Sequence, residues 1–101
     1  MKTLFIWLLL YTGLDNETQT SNKEIKERFL KEYPQYKEGV NSNILGAKIG
    51  LYLKDIYPNI IRSEDKDLLT CYNVKLLSKP KKIIKLDWDT FLDVKIHDLR
   101  E

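Results

Sequence analysis

Residues 59–77 read NIIRSEDKDLLTCYNVKLL, and whether this stretch is helix or sheet decides the fold. β-Branched and aromatic residues lie on either side of a polar SEDKD turn, and no helical spacing runs through them. Such residues suit a pleated surface, and a polar cluster between two runs of them marks a hairpin. The stretch therefore predicts two strands, Ile60–Ser63 and Leu68–Leu76, joined by the turn.

Upstream, the period is that of helices. Ser21-Asn22-Lys23-Glu24 has the S-x-x-E capping-box pattern, in which the serine and the glutamate each satisfy a free backbone donor. A helix from Asn22 to about Tyr33 follows, with Ile25, Phe29 and Tyr33 four residues apart, Leu30 beside them, and Pro34 as its end. A second helix, capped by Asn41 or Ser42, runs to Ile56 and is closed by Pro58. Leu45, Ile49, Tyr52, Leu53 and Ile56 form its apolar face.

Further back stands LFIWLLLYTG, residues 4–13. A lysine before an apolar run at an N-terminus suggests either an export signal or a core helix. A cleavage site wants small residues at alternate positions. Tyr11-Thr12-Gly13 places a bulky tyrosine there, and Leu4–Tyr11 is too short to span a bilayer. The expectation is a core helix, Thr3–Thr12, stopped by Gly13, in an intracellular protein without a membrane role. A helix apolar on all sides is enclosed by its own fold or shared with another subunit. Downstream, SKPKK is a basic connector, KIIKL a short strand, and Asp87 the cap of a last helix carrying Trp88, Phe91, Leu92, Ile96 and Leu99.

With 101 residues there is room for one domain with one core. An apolar fraction of 43% and a charged fraction of 32% are those of a folded chain. The formal net charge is only +2, so any nucleic-acid role rests on a local patch rather than the overall field. A single cysteine, Cys71, forbids an internal disulfide and favours a reducing compartment.

The order helix, loop, capped helix, turn, helix, hairpin is α+β and matches a winged helix-turn-helix, three helices and a β-hairpin wing, here with an additional C-terminal helix. Residues 21–77 resemble a particular kind: the winged-helix domain at the C-terminal end of phage and poxvirus-type primase-helicases, and more distantly the RFX type. The pieces that carry the resemblance are SNKEIKERFLKEY, LGAKIGLYLKDIYPNIIRS and CYNVKLL. The resemblance implies a domain that accompanies DNA replication and binds DNA or assists its loading. Two departures stand against that pattern. The hairpin tip Ser63-Glu64-Asp65-Lys66-Asp67 is acidic on balance, whereas a wing on phosphates should be basic. The face of the would-be recognition helix carries Ile44, Ala47, Lys48, Gly50, Leu51 and Lys54, without the Arg, Asn or Gln that read base edges.

Catalytic and metal sets are not apparent. His97 stands alone, so the usual zinc ligands cannot be assembled. Cys71 sits in an apolar strand pattern, with only His97 to serve as its base. Asp89 and Asp93 are one helical turn apart and could share a face for acid–base or Mg²⁺ work, but the favourable field at a helix start accounts for Asp87 and Asp89. No glycine-rich phosphate loop is present. A non-enzymatic module without a cofactor is expected, and two readings follow. In the first, it binds DNA, with Lys48, Lys54, Lys75, Lys79, Lys81, Lys82 and Lys85 on phosphates. In the second, Ile44, Ala47, Gly50 and Leu51, joined by Trp7, contact a second copy or a replication or regulatory protein. Alternatively the last helix covers that face of the second helix through Trp88 and Phe91.

Overall fold

A computed structural model of the chain describes residues 2–37 and 42–82. They form a small α+β domain with three α-helices and two small antiparallel sheets. Helix α1 spans Lys2–Tyr11, α2 Asn22–Glu32 and α3 Ser42–Ile56. The strands are β1 (Thr12–Leu14), β2 (Thr20–Ser21), β3 (Arg62–Glu64), β4 (Thr70–Tyr72) and β5 (Val74–Leu76). One sheet pairs β1 with β5, and the other has the order β2-β4-β3.

The apolar run at the N-terminus is the centre of the core. Leu4, Phe5, Trp7 and Leu8 are buried, and Ile6, Leu9 and Tyr11 pack against the same cluster. Ile25 and Phe29 of α2, and Leu45, Ile49, Tyr52 and Leu53 of α3, complete it. Aromatic rings lock the three helices together. The Phe5 and Tyr52 rings meet edge-on at 5.4 Å, and those of Trp7 and Phe29 at 5.5 Å, geometries that suit ring quadrupoles. Trp7, an added contact in the second of the two readings, is only 2% exposed and donates from Nε1 to Glu32 Oε2 at 2.7 Å, so it ties α1 to α2. Among the described residues no helix is long and apolar enough to cross a membrane.

Only the serine half of the predicted capping box satisfies a backbone donor; the glutamate meets the serine hydroxyl instead of the Ser21 amide. The Glu24 amide donates to Ser21 Oγ at 3.0 Å, and Ser21 Oγ donates to the Glu24 carboxylate at 3.3 Å. Helix α2 ends one residue earlier than expected, and Tyr33 is its C-cap. Pro34 then opens a short 3-10 turn, Pro34–Tyr36, where its missing N–H costs nothing.

Three expectations need correction. Gly13 does not stop the first helix. The helix ends at Tyr11, and Thr12–Gly13–Leu14 pair with Leu76, Lys75 and Val74. Thr12 serves both elements: its hydroxyl donates to the Leu8 carbonyl at 2.6 Å, and its own carbonyl accepts from Tyr57 Oη at 2.7 Å. The first hairpin strand is Arg62–Glu64 rather than Ile60–Ser63, because Ile60 is held in a turn by its amide bond to the Tyr57 carbonyl. The return strand is not one run from Leu68 to Leu76. It divides at Asn73, where the chain passes from one sheet to the other. Asn73 Oδ1 accepts the Ile61 amide at 2.7 Å, and Nδ2 donates to Asn16 Oδ1 at 2.7 Å. The side chain thus occupies the position a ladder bond would take.

The hairpin tip is built by Asp65. Its carboxylate accepts the amides of Asp67 (2.8 Å) and Leu69 (3.0 Å), and the Asp65 amide bonds the Leu69 carbonyl at 3.0 Å. Leu68, in that turn, adopts φ 63, the left-handed region where a side chain is strained. The expected KIIKL strand beyond Lys82 and the expected C-terminal helix headed by Asp87 lie outside the described residues, as do Asn41, Lys85, Trp88, Asp89, Phe91, Asp93 and His97.

Candidate nucleic-acid interface

The face of α3 turned away from the core is exposed, with Ile44 at 41% and Leu51 at 47%. Leu45, Ile49, Tyr52 and Leu53 follow helical spacing inward, which leaves Ala47, Gly50, Leu51 and Lys54 outward. This face does not stand free. It lines a groove of about 730 Å³ whose other walls are the start of α2 and the β3–β4 hairpin.

Each wall contributes for a reason of local geometry. On α2, Asn22 and Lys26 are four residues apart and share a face. In the hairpin, Thr70 and Tyr72 alternate to the same side of β4, and Arg62 is the register partner of Tyr72. The α2 and α3 walls are joined where Asn22 Nδ2 donates to the Gly46 carbonyl at 3.0 Å. Tyr72, 6% exposed, stands between β2 and β3, and its hydroxyl presses on α3. A Cβ on Gly50 would lie 2.7 Å from Tyr72 Oη, so only glycine lets the helix and this ring meet.

The electrostatics of the groove are one-sided. Lys26, Lys54 and Arg62 line it from three different elements, and among the described residues none of the lining is acidic. Lys54 Nζ donates to the Pro58 carbonyl at 2.9 Å, which leaves two of its three donors for a ligand. The acidic residues of the hairpin tip are not among the lining, and the Asp65 carboxylate is already engaged by the turn.

Of the seven lysines expected on phosphates six are described, and they lie on several different elements. Lys54 lines the groove, and Lys48 is half-buried on the same helix. Lys75 is exposed on β5, in the other sheet, facing Gly13. Lys79 and Lys82 are exposed. Lys81 is held by the fold: its amide donates to the Leu10 carbonyl at 2.9 Å, and its Nζ lies 2.9 Å from Tyr57 Oη and 5.3 Å from that ring's centroid. Of the alternative interface, Ala47, Gly50 and Leu51 line the groove, and Ile44 is exposed on the same helix.

Sequence reading missed Lys26, Arg62, Asn22, Thr70 and Tyr72. Lys26 sits beside the core stripe of α2, where it reads as an ordinary solvated charge. Arg62 and Tyr72 become neighbours only through hairpin register, which the unexpected break at Asn73 obscures.

Other chemistry has little support. Cys71 is buried, and burial pushes its thiol up, with the Asp65 charge adding to the effect. Among the described residues no group of three or more His, Cys, Asp or Glu side chains could hold a metal ion. No protein-family model, curated protein or solved structure matches the chain.

Proposed function

We propose that this domain is a winged-helix module that binds nucleic acid through the groove between α3 and the β3–β4 hairpin. The order of elements supports the fold reading. A first helix, two short strands, two further helices, a hairpin and a last strand follow in turn; the second short strand, β2, pairs with the hairpin strand β4, while β1 and β5 form a separate pair. In this reading α3 is the recognition helix and β3–β4 the wing.

The observation that carries the function is the trio Lys26, Lys54 and Arg62 around a groove that has no acidic lining among the described residues. Phosphate neutralisation by lysine and arginine supplies most nucleic-acid affinity, and it needs local rather than overall positive charge. Lys48, Lys75, Lys79 and Lys82 remain phosphate-contact candidates outside the groove. The role is binding rather than catalysis, and an accessory place in DNA replication or regulation is the setting the resemblance implies.

The test is fluorescence-anisotropy titration of labelled oligonucleotides with the wild type and a Lys26→Ala, Lys54→Ala, Arg62→Ala variant. All three side chains reach solvent, so the variant should keep its fold. The expected result is a loss of affinity of about tenfold or more. Equal binding by both proteins removes the groove from the interface.

A second reading is favoured by the exposure of Ile44 and Leu51 on α3. In it, the same face joins a second copy or a replication or regulatory protein. Leu51→Lys then converts an assembled species into a folded monomer by light scattering. A wild type that is already monomeric at high concentration counts against self-assembly.

A further inference from the structure

The groove is a hollow rather than a projecting reading face. A helix that reads a major groove presents projecting Arg, Asn or Gln side chains to base edges. Helix α3 presents Gly46, Ala47 and Gly50, set between the walls made by α2 and the hairpin. The protein surface here is concave, so its ligand must enter it.

The lining sorts into three chemistries. Lys26, Lys54 and Arg62 are cationic. Ala47, Leu51 and Ile60 are apolar, and the small Ala47 leaves room for a flat group, while the missing side chains of Gly46 and Gly50 make way for Asn22 and Tyr72. The third is the Tyr72 hydroxyl. Tyr72 is 6% exposed, and no hydrogen bond to its hydroxyl forms among the described residues. The oxygen itself is not fully buried: it lies against Gly50 and opens onto the groove, available to whatever enters. A nucleotide offers the matching set: an anionic phosphate, a flat π-face, and a polar base edge. The groove volume of about 730 Å³ falls in the range of small-molecule sites.

Building on the nucleic-acid reading above, we infer that the groove takes an unpaired nucleotide of a single-stranded nucleic acid. The base lies over Ala47, with its edge toward the Tyr72 hydroxyl. The flanking phosphates meet Lys26, Lys54 and Arg62. An unpaired base can enter such a hollow, whereas a base within a duplex must first leave its stack.

The experiment compares a labelled single-stranded DNA, a single-stranded RNA of the same sequence and the corresponding DNA duplex by anisotropy, using the intact chain. Two variants accompany the wild type, each checked for fold by circular dichroism. Ala47→Leu fills the groove from an exposed helical position that leucine suits. Tyr72→Phe removes only the hydroxyl. The expected result is that at least one single strand binds about tenfold or more tighter than the duplex, and that Ala47→Leu abolishes this preference. Tyr72→Phe should weaken single-strand binding about three- to tenfold, the effect of one lost hydrogen bond. Duplex binding as tight as single-strand binding, still dependent on Lys26, Lys54 and Arg62, overturns the inference but leaves the phosphate-binding groove standing. A single-strand preference that survives Ala47→Leu also overturns it. Absence of binding to all three probes overturns this inference and the nucleic-acid reading together.

Discussion

Gly50→Ala should destabilise the wild type and stabilise a Tyr72→Phe background. Alanine in place of glycine inside a helix is favoured by about 1 kcal/mol. Against this, the new Cβ would lie 2.7 Å from Tyr72 Oη, closer than such atoms come. The ring is flanked by Thr20 of β2 and Arg62 of β3, so it cannot retreat without disturbing the sheet. Overpacking of this kind costs about 1–3 kcal/mol. Taking the middle of that range, Gly50→Ala alone should cost about 1 kcal/mol net. Once the hydroxyl is gone, the next ring atom is 3.8 Å away, an ordinary contact. In Tyr72→Phe the same change should therefore gain about 1 kcal/mol, a coupling of about 2 kcal/mol between the two positions. Urea denaturation of the four proteins measures this directly, provided the slope of unfolding free energy against urea is unchanged. A Gly50→Ala protein more stable by about 1 kcal/mol in both backgrounds would show that Tyr72 Oη does not press on α3. The groove would then lack the polar group assigned to it.

Other consequences follow from single residues. Asn73→Ala removes the acceptor of the Ile61 amide and the donor to Asn16, and should cost about 2–3 kcal/mol in the same denaturation assay; a change below about 0.5 kcal/mol would mean that this side chain does not join the two sheets. Leu68→Asn should stabilise by about 0.5–1 kcal/mol, because asparagine tolerates the left-handed backbone and leucine is 75% exposed there; destabilisation would contradict a strained turn. The Cys71 thiol is raised above its ordinary value of 9.0 by burial, so the unfolded thiol ionises first as pH rises. Its contribution is fully present below the unfolded pKa and is lost as pH rises toward the folded one, so Cys71→Ala should flatten the alkaline side of the stability profile. An identical alkaline decline in the variant would contradict this.

The helices were legible in the sequence because each carries its own signals. Ser21 and Glu24 announce α2, and Pro34 and Pro58 punctuate the helix ends. The apolar stripe Leu45–Ile49–Leu53 orients α3 toward the core. The hairpin was legible as a change of period. Its internal break was not, because Asn73 acts through Ile61 and Asn16, partners that only the folded chain brings near. Strand β1 was hidden for a related reason. Thr12-Gly13 resembles a helix stop, and only its pairing with β5 makes it sheet. The groove shows the same limit. Lys54 could be picked out on an exposed helical face, but Lys26, Arg62 and Tyr72 converge on it through tertiary packing. Conversely, the dense lysines of KLLSKPKK looked like one patch, yet Lys75 lies on a strand and Lys81 is bound to Tyr57.

The salt dependence of oligonucleotide binding tests the groove most directly. Each phosphate neutralised on a single strand contributes about −0.7 to the slope of log affinity against log salt. Three cations at the groove predict that replacing Lys26, Lys54 and Arg62 by alanine makes this slope shallower by about 2. A variant with the same slope and affinity as the wild type would contradict the assignment of Lys26, Lys54 and Arg62 to phosphates.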